Sequence, residues 1–84
     1  MKIIYTKNAT EDRAYWEKHR PKLMQRIDAL IVDIQKHPFS DLGKPEALRF
    51  EKSGYWARRI NQEHRLVYKV HGHTLYIAQC RYHY

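Results

Sequence analysis

The chain has 84 residues, enough for one small domain spanning residues 1–84. Its single cysteine, Cys80, excludes an intrachain disulfide, no apolar run approaches the ~20 residues of a membrane span, and Met1 to Thr6 is too short for the apolar part of a secretory leader, so a reducing cytoplasm is the expected setting. Lys and Arg outnumber Asp and Glu by 16 to 9 for a formal charge of +7, with seven Tyr and two Trp, a balance that fits an anionic polymer with unpaired bases as readily as a merely solvated surface.

Lys2-Ile3-Ile4-Tyr5-Thr6 is β-rich and apolar in its middle and predicts a short strand. Asn8 is then placed to cap a helix, with Glu11 completing a capping box. That helix carries Ala14, Tyr15 and Trp16 and is expected to end near His19-Arg20-Pro21. In a second helix Leu23, Ile27, Leu30 and Ile34 recur at spacings of three and four, and Met24 and Ile31 widen the stripe. Such a stripe reads as core. Pro38 stops this helix because it biases His37 away from the α region.

A loop, Ser40-Asp41-Leu42-Gly43-Lys44-Pro45, leads to four β-type segments: Glu46 to Phe50, Tyr55 to Asn61, Arg65 to Val70 and Thr74 to Tyr82. Ser53-Gly54 and Gly72 supply turns. The order is β-α-α-β-β-β-β, an α+β class with two N-terminal helices on one face of a mainly antiparallel sheet. Leu66, Tyr68 and Val70 alternate with Arg65, Val67 and Lys69, so one sheet face meets the helices and the other is expected to be polar and basic. A two-residue turn at Gly72-His73 would pair Arg65 with Cys80 and turn His83 away from Arg65, and the tail is therefore expected to leave ideal pairing at or after Tyr82.

The basic face is where chemistry is expected. Arg49, Arg58, Arg59, Arg65, Lys69 and Arg81 all fall in the strand-rich half, and the chain ends Arg81-Tyr82-His83-Tyr84. Metal-free RNA cleavage needs a base for a 2′-hydroxyl, a cation for the growing phosphate charge, and an acid for the leaving oxygen. Glu, Arg and His side chains suit those tasks. No Cys or His pair has zinc-like spacing, so neither a metal nor another cofactor is expected. Cys80 reads as a small buried apolar residue, and Trp16 and Trp56 as core or core-edge residues.

Four blocks carry a resemblance. Gly43-Lys44-Pro45-Glu46, Ser53-Gly54-Tyr55-Trp56-Ala57-Arg58-Arg59-Ile60, Glu63-His64-Arg65-Leu66-Val67-Tyr68 and Cys80-Arg81-Tyr82-His83-Tyr84 resemble the signature of the YoeB toxins of the RelE/ParE superfamily. The resemblance implies a RelE-like microbial RNase fold and cleavage of mRNA in the ribosomal A site. It implies Glu46 as general base, His83 as general acid, Arg65 as the phosphate stabiliser and Tyr84 as an aid to RNA orientation. Arg59 and Arg49 become supporting phosphate contacts, and Lys44, Arg58 and Arg81 further candidate RNA contacts. Position 49 departs from the pattern, with Arg where Lys is expected.

Taken without the resemblance, Glu46 reads as an exposed carboxylate at a strand start. The implied partners are the ribosome, mRNA, an acidic and partly disordered antitoxin resembling YefM, and a second copy of the chain; no membrane is implied. A domain this small buries only roughly 60% of its unfolded surface, so an antitoxin should add markedly to its stability. Two rival classes stay open: a ParE-like toxin that binds gyrase and cleaves nothing, and a non-catalytic basic RNA-binding module.

Overall fold

The computed structural model describes residues 1–82. The elements run β1 (Lys2–Tyr5), α1 (Lys7–His19), α2 (Pro21–Lys36), β2 (Glu46–Ala47), a 3₁₀ turn (Phe50–Lys52), β3 (Trp56–Arg59), β4 (Arg65–His71) and β5 (Thr74–Gln79). They form the expected α+β arrangement, a five-stranded sheet in the order β1-β5-β4-β3-β2. Among the described residues only β1 and β5 pair in parallel; β2, β3, β4 and β5 are joined by antiparallel pairings.

The stripe of α2 packs as its spacing predicts. Met24, Ile27, Leu30, Ile31 and Ile34 are buried against Leu66, Tyr68, Leu75 and Ile77 of the sheet, with Trp16 from α1. Each such side chain contributes about 1.5–3 kcal/mol when fully buried. Pro21 opens α2 at its first turn, where a missing N–H costs no helical bond. The helix stops at Lys36, just before His37 and Pro38. No described helix is long and apolar enough to cross a membrane.

The start of α1 differs from expectation. Thr6, not Asn8, is the cap: its Oγ1 accepts from the Ala9 N–H at 3.1 Å and donates to the Ala78 carbonyl at 2.7 Å. Thr6 directly follows β1, so one hydroxyl closes the helix and ties it to β5. Local sequence shows the capping preference but not this second, distant bond.

The register also differs. Tyr68 pairs with Ile77 but Val67 pairs with Gln79, leaving Ala78 as an extra residue in β5. This β-bulge breaks the expected pairing of Arg65 with Cys80. Cys80 instead enters the core, where its N–H donates to Asp12 Oδ2 at 3.0 Å, and the Trp16 indole N–H donates to its carbonyl at 2.7 Å. Ideal pairing therefore breaks earlier than predicted, at the Ala78 bulge rather than at or after Tyr82.

The predicted strand from Glu46 to Phe50 shortens to two residues. Beyond Ala47 the chain turns through Phe50 at φ +59 into the 3₁₀ segment. The sheet face away from the helices is not wholly polar either. Leu48, Ala57 and Val67 form a small buried cluster there, flanked by Tyr55 and Ala78.

Candidate active site

Cross-strand partners point to the same side of a sheet. Glu46 faces Ala57, and Arg59 faces Arg65. Ala57 and Arg59 alternate with Trp56 and Arg58, so Glu46, Arg59 and Arg65 share the face away from the helices. They stand on three successive strands, β2, β3 and β4, which at ~4.8 Å between neighbours spans roughly 10 Å. A hollow of about 470 Å³ opens at Glu46, lined by Glu46, Ala47, Leu48, Arg49, Phe50 and Lys52. A second hollow of about 270 Å³ continues past Lys52 along Tyr55, Val67 and Ala78. The two share Lys52 and floor themselves on the small apolar cluster.

Arg65 is half-buried and directed. Its Nη1 donates to the carbonyls of Asn61, Gln62 and His64 at 2.7, 3.2 and 3.1 Å. One edge of the guanidinium is thus fixed by the β3–β4 loop. That loop is shaped in turn by Asn61, whose Oδ1 accepts from the Glu63 and His64 amides. Arg59 has an exposed side chain, while its own backbone N–H donates to the Gly43 carbonyl at 2.8 Å. Arg49 and Lys44 are exposed as well, and Arg49 shares the first hollow with Glu46. Phe50, 91% exposed, stands on the rim of the same hollow.

Arg58 is a correction. Grouped by sequence with the RNA contacts, it is fully buried on the opposite face, among the helices. All five N–H donors are used. Nε donates to the Tyr68 hydroxyl at 3.1 Å, Nη1 to Asp33 Oδ2 at 2.5 Å and the Leu42 carbonyl at 2.8 Å, and Nη2 to the carbonyls of His37 and of Ser40, the latter at 2.9 Å. The bond from Arg58 holds the Asp33 carboxyl below its usual range. Arg58 therefore binds α2 and the 37–42 loop to the sheet and has no donor left for a phosphate.

Arg81 is also committed. Its guanidinium lies over the Tyr15 ring of α1 at 3.4 Å and near the Tyr82 ring at 4.5 Å. This contact directs it to α1, not to the hollow beside Glu46. His83 and Tyr84, the expected acid and its neighbour, lie outside the described residues.

His64 was not singled out by sequence, yet it is buried at the edge of the site. Its ring meets Trp16 edge-on at 4.7 Å, and its Nδ1 accepts from the Tyr82 N–H at 2.7 Å. Burial pushes the imidazole below its ordinary range; Glu63 opposes this, while Arg81, Arg20 and Arg65 reinforce it. The signal was available. His64, just before β4, lies two residues from Leu66 and four from Tyr68 and so continues the core-facing alternation of that strand.

Cys80 is no nucleophile: burial pushes its thiol up to about 12. Asp33, His37 and Asp41 bring ligand atoms within 4.8 Å of one another. Asp33 is already bonded to Arg58 and to the Leu42 amide, and His37 faces Asp41 at 3.8 Å in an exposed pair. The cluster is accounted for by these contacts.

Residues 5–84 match the family described as the YoeB-like toxin of bacterial type II toxin–antitoxin systems. The chain is 45% identical to toxin YoeB of Escherichia coli (strain K12) over 84 residues, covering all of both chains. Its structure matches a YoeB/ParE toxin from Agrobacterium tumefaciens with a TM-score of 0.97 at 41% identity, again covering all of both. YoeB from Staphylococcus aureus, solved as a dimer and in a complex with YefM, matches with TM-scores of 0.94 and 0.92 at 39% identity, covering all of this chain and 98% of that one.

Proposed function

The chain belongs to the YoeB-like toxin family of bacterial type II toxin–antitoxin systems, and from that premise we propose that it is a ribosome-dependent mRNA endoribonuclease that cuts in the A site and so stops translation. The observation that carries this reading is the company of Glu46, Arg59 and Arg65 on one face of three adjacent strands, with Glu46 lining a hollow that also holds Arg49.

The reaction needs no metal. The Glu46 carboxylate removes the 2′-hydroxyl proton, and the 2′-oxygen attacks the adjacent phosphorus in line. The bond from phosphorus to the 5′-oxygen breaks as an acid delivers a proton to that oxygen. The products are a 2′,3′-cyclic phosphate and a 5′-hydroxyl. Arg65, with one edge fixed by loop carbonyls, presents its charge in a set direction. Preorganised charge of this kind stabilises the crowded phosphorane oxygens more than the ground state. Arg59 and Arg49 add phosphate contacts, with Lys44 at the margin. By the family motif, His83 is the acid and Tyr84 orients the RNA.

The ribosome is the expected platform, because the basic face matches rRNA as well as the message. An acidic YefM-like antitoxin is the expected regulator in the cytoplasm, since the S. aureus relative is solved with YefM. A homodimer is expected on the same ground, from the S. aureus dimer.

Glu46→Gln tests the base. On programmed ribosomes, its cleavage rate is expected to fall by about 10²–10⁴-fold, with ribosome binding close to wild type. A variant that cuts at the wild-type rate removes Glu46 from the mechanism. Wild-type protein that binds and never cuts supports the RNA-binding module instead.

A further inference from the structure

We propose that His64 is the positioning residue of the C-terminal segment: through Nδ1 it fixes the backbone of Tyr82, and with it the origin of the His83–Tyr84 dipeptide. The inference rests on the nuclease reading above for its catalytic consequence, though not for the contact itself.

Three successive tail residues are held by two parts of the molecule, α1 and the start of β4. Cys80 is tied at both backbone groups to α1, through Asp12 and Trp16. Arg81 is stacked on Tyr15. Tyr82 is tied at both backbone groups to the start of β4, its N–H donating to His64 Nδ1 at 2.7 Å and its carbonyl accepting from the Arg65 N–H at 3.0 Å. Tyr82 has φ +65, a left-handed conformation that costs a non-glycine residue about 1–2 kcal/mol. It persists because these bonds over-determine it. Removing one of them lets Tyr82 relax toward ordinary extended backbone and swings whatever follows it.

Acceptance at Nδ1 specifies the protonation state. A neutral ring with its proton on Nε2 accepts there; an imidazolium carries a proton on each nitrogen and repels the Tyr82 N–H. The surroundings keep the ring neutral. It is wedged against Trp16 and lies near Arg20 at the α1–α2 junction, Arg65 beside it on β4 and Arg81 on the tail. Glu63 on the loop and Asp12 on α1 oppose them. Because folding favours the neutral ring, the clamp is complete above the unperturbed value of ~6.5 and is lost as pH falls through His64's own lower value.

The clamp also couples two catalytic parts. Arg65, the next residue, turns its Nη1 to the His64 carbonyl while its amide holds Tyr82. One dipeptide, His64-Arg65, therefore aligns the phosphate-binding cation with the base of the tail. A misplacement of about 1 Å in such a constellation costs about 10²-fold in rate.

The test uses the full chain and two variants. In His64→Asn, the side-chain oxygen takes the place of Nδ1 as an acceptor that does not titrate. In His64→Leu, the volume is kept without an acceptor. Amide hydrogen exchange at Tyr82, followed by NMR, reads the clamp without reference to activity. Single-turnover and steady-state cleavage on programmed ribosomes read its consequence.

The expected result is Tyr82 protection in wild type that is lost as pH falls below the ordinary imidazole range, retained at all pH values in His64→Asn, and absent in His64→Leu. His64→Leu should lose about 10²-fold in kcat with KM nearly unchanged. His64→Asn should regain most of that loss and lack the His64 part of the acid limb. Unchanged Tyr82 protection in a folded His64→Leu, or an acid limb identical in His64→Asn, would overturn the proposal. Should His64→Leu not fold, the pH titration of the wild-type Tyr82 amide decides alone. If wild type cuts nothing while the Tyr82 amide behaves as described, the nuclease reading fails and the clamp stands.

Discussion

Arg58 and Arg59 are chain neighbours with opposite fates, and strand alternation is the reason. Arg58 points among the helices, where its five donors meet a carboxylate, a hydroxyl and three carbonyls. Arg59 points to the exposed face with Arg65. Truncating a buried paired charge strands its partners, so Arg58→Ala should cost about 3–5 kcal/mol. Arg59→Ala should change stability by no more than about 0.5 kcal/mol and still cut RNA more slowly. Urea unfolding and cleavage measured on both variants check the split; an Arg58→Ala protein as stable as wild type would remove Arg58 from its structural role. This split was partly legible in the sequence. Trp56, Arg58 and Ile60 lie two apart, which puts Arg58 on the same face as two apolar residues. A basic pair read as one patch hides that alternation. The acceptors around Arg58 come from residues 33–42 and from Tyr68, and nothing local announces them.

At the scale of elements, the helices and the order of strands follow from periodicity, while the joints do not. The stripe of α2 and the stop at Pro38 are local facts, and both appear in the fold. The cap at Thr6 and the bulge at Ala78 meet through a bond that spans most of the chain. Gly43 is such a joint. Its φ is +82, and an added Cβ would stand 2.8 Å from Leu30 Cδ2 and 3.1 Å from Arg58 Cβ. Gly72, at φ +60 in the β4–β5 turn, has open space around it. Gly43→Ala should therefore cost about 2–4 kcal/mol, combining backbone strain with overpacking, and Gly72→Ala only the strain, about 1–2 kcal/mol. Thermal or urea denaturation of the two variants gives the comparison, and equal losses would mean that the close approach at Gly43 relaxes freely. The candidate site shares this division. Glu46, Arg59 and Arg65 were legible from motif and alternation, whereas the tail clamp was not, because the bulge that creates it is a tertiary event.

The whole molecule separates its two sheet faces by task, with the helices covering one and cations crowding the other. With a formal charge of +7 on 84 residues, the proposed docking on rRNA would be an electrostatic event. Ribosome affinity should fall steeply with salt, and Arg59→Ala should reduce the log–log slope by about one if it meets a phosphate. A slope unchanged by the variant would place Arg59 away from the backbone contacts. The same basic face is the one an acidic antitoxin would cover, so toxin bound to its antitoxin should lose both the salt-dependent docking and the cleavage. The most direct measurement of the central claim is the end chemistry of a message cut by the pure protein in a reconstituted, metal-replete translation complex. Acid–base attack by the 2′-oxygen predicts fragments cut at the A-site codon that carry a 2′,3′-cyclic phosphate and a 5′-hydroxyl. Uncut message, or fragments ending in a 3′-hydroxyl and a 5′-phosphate, would contradict it.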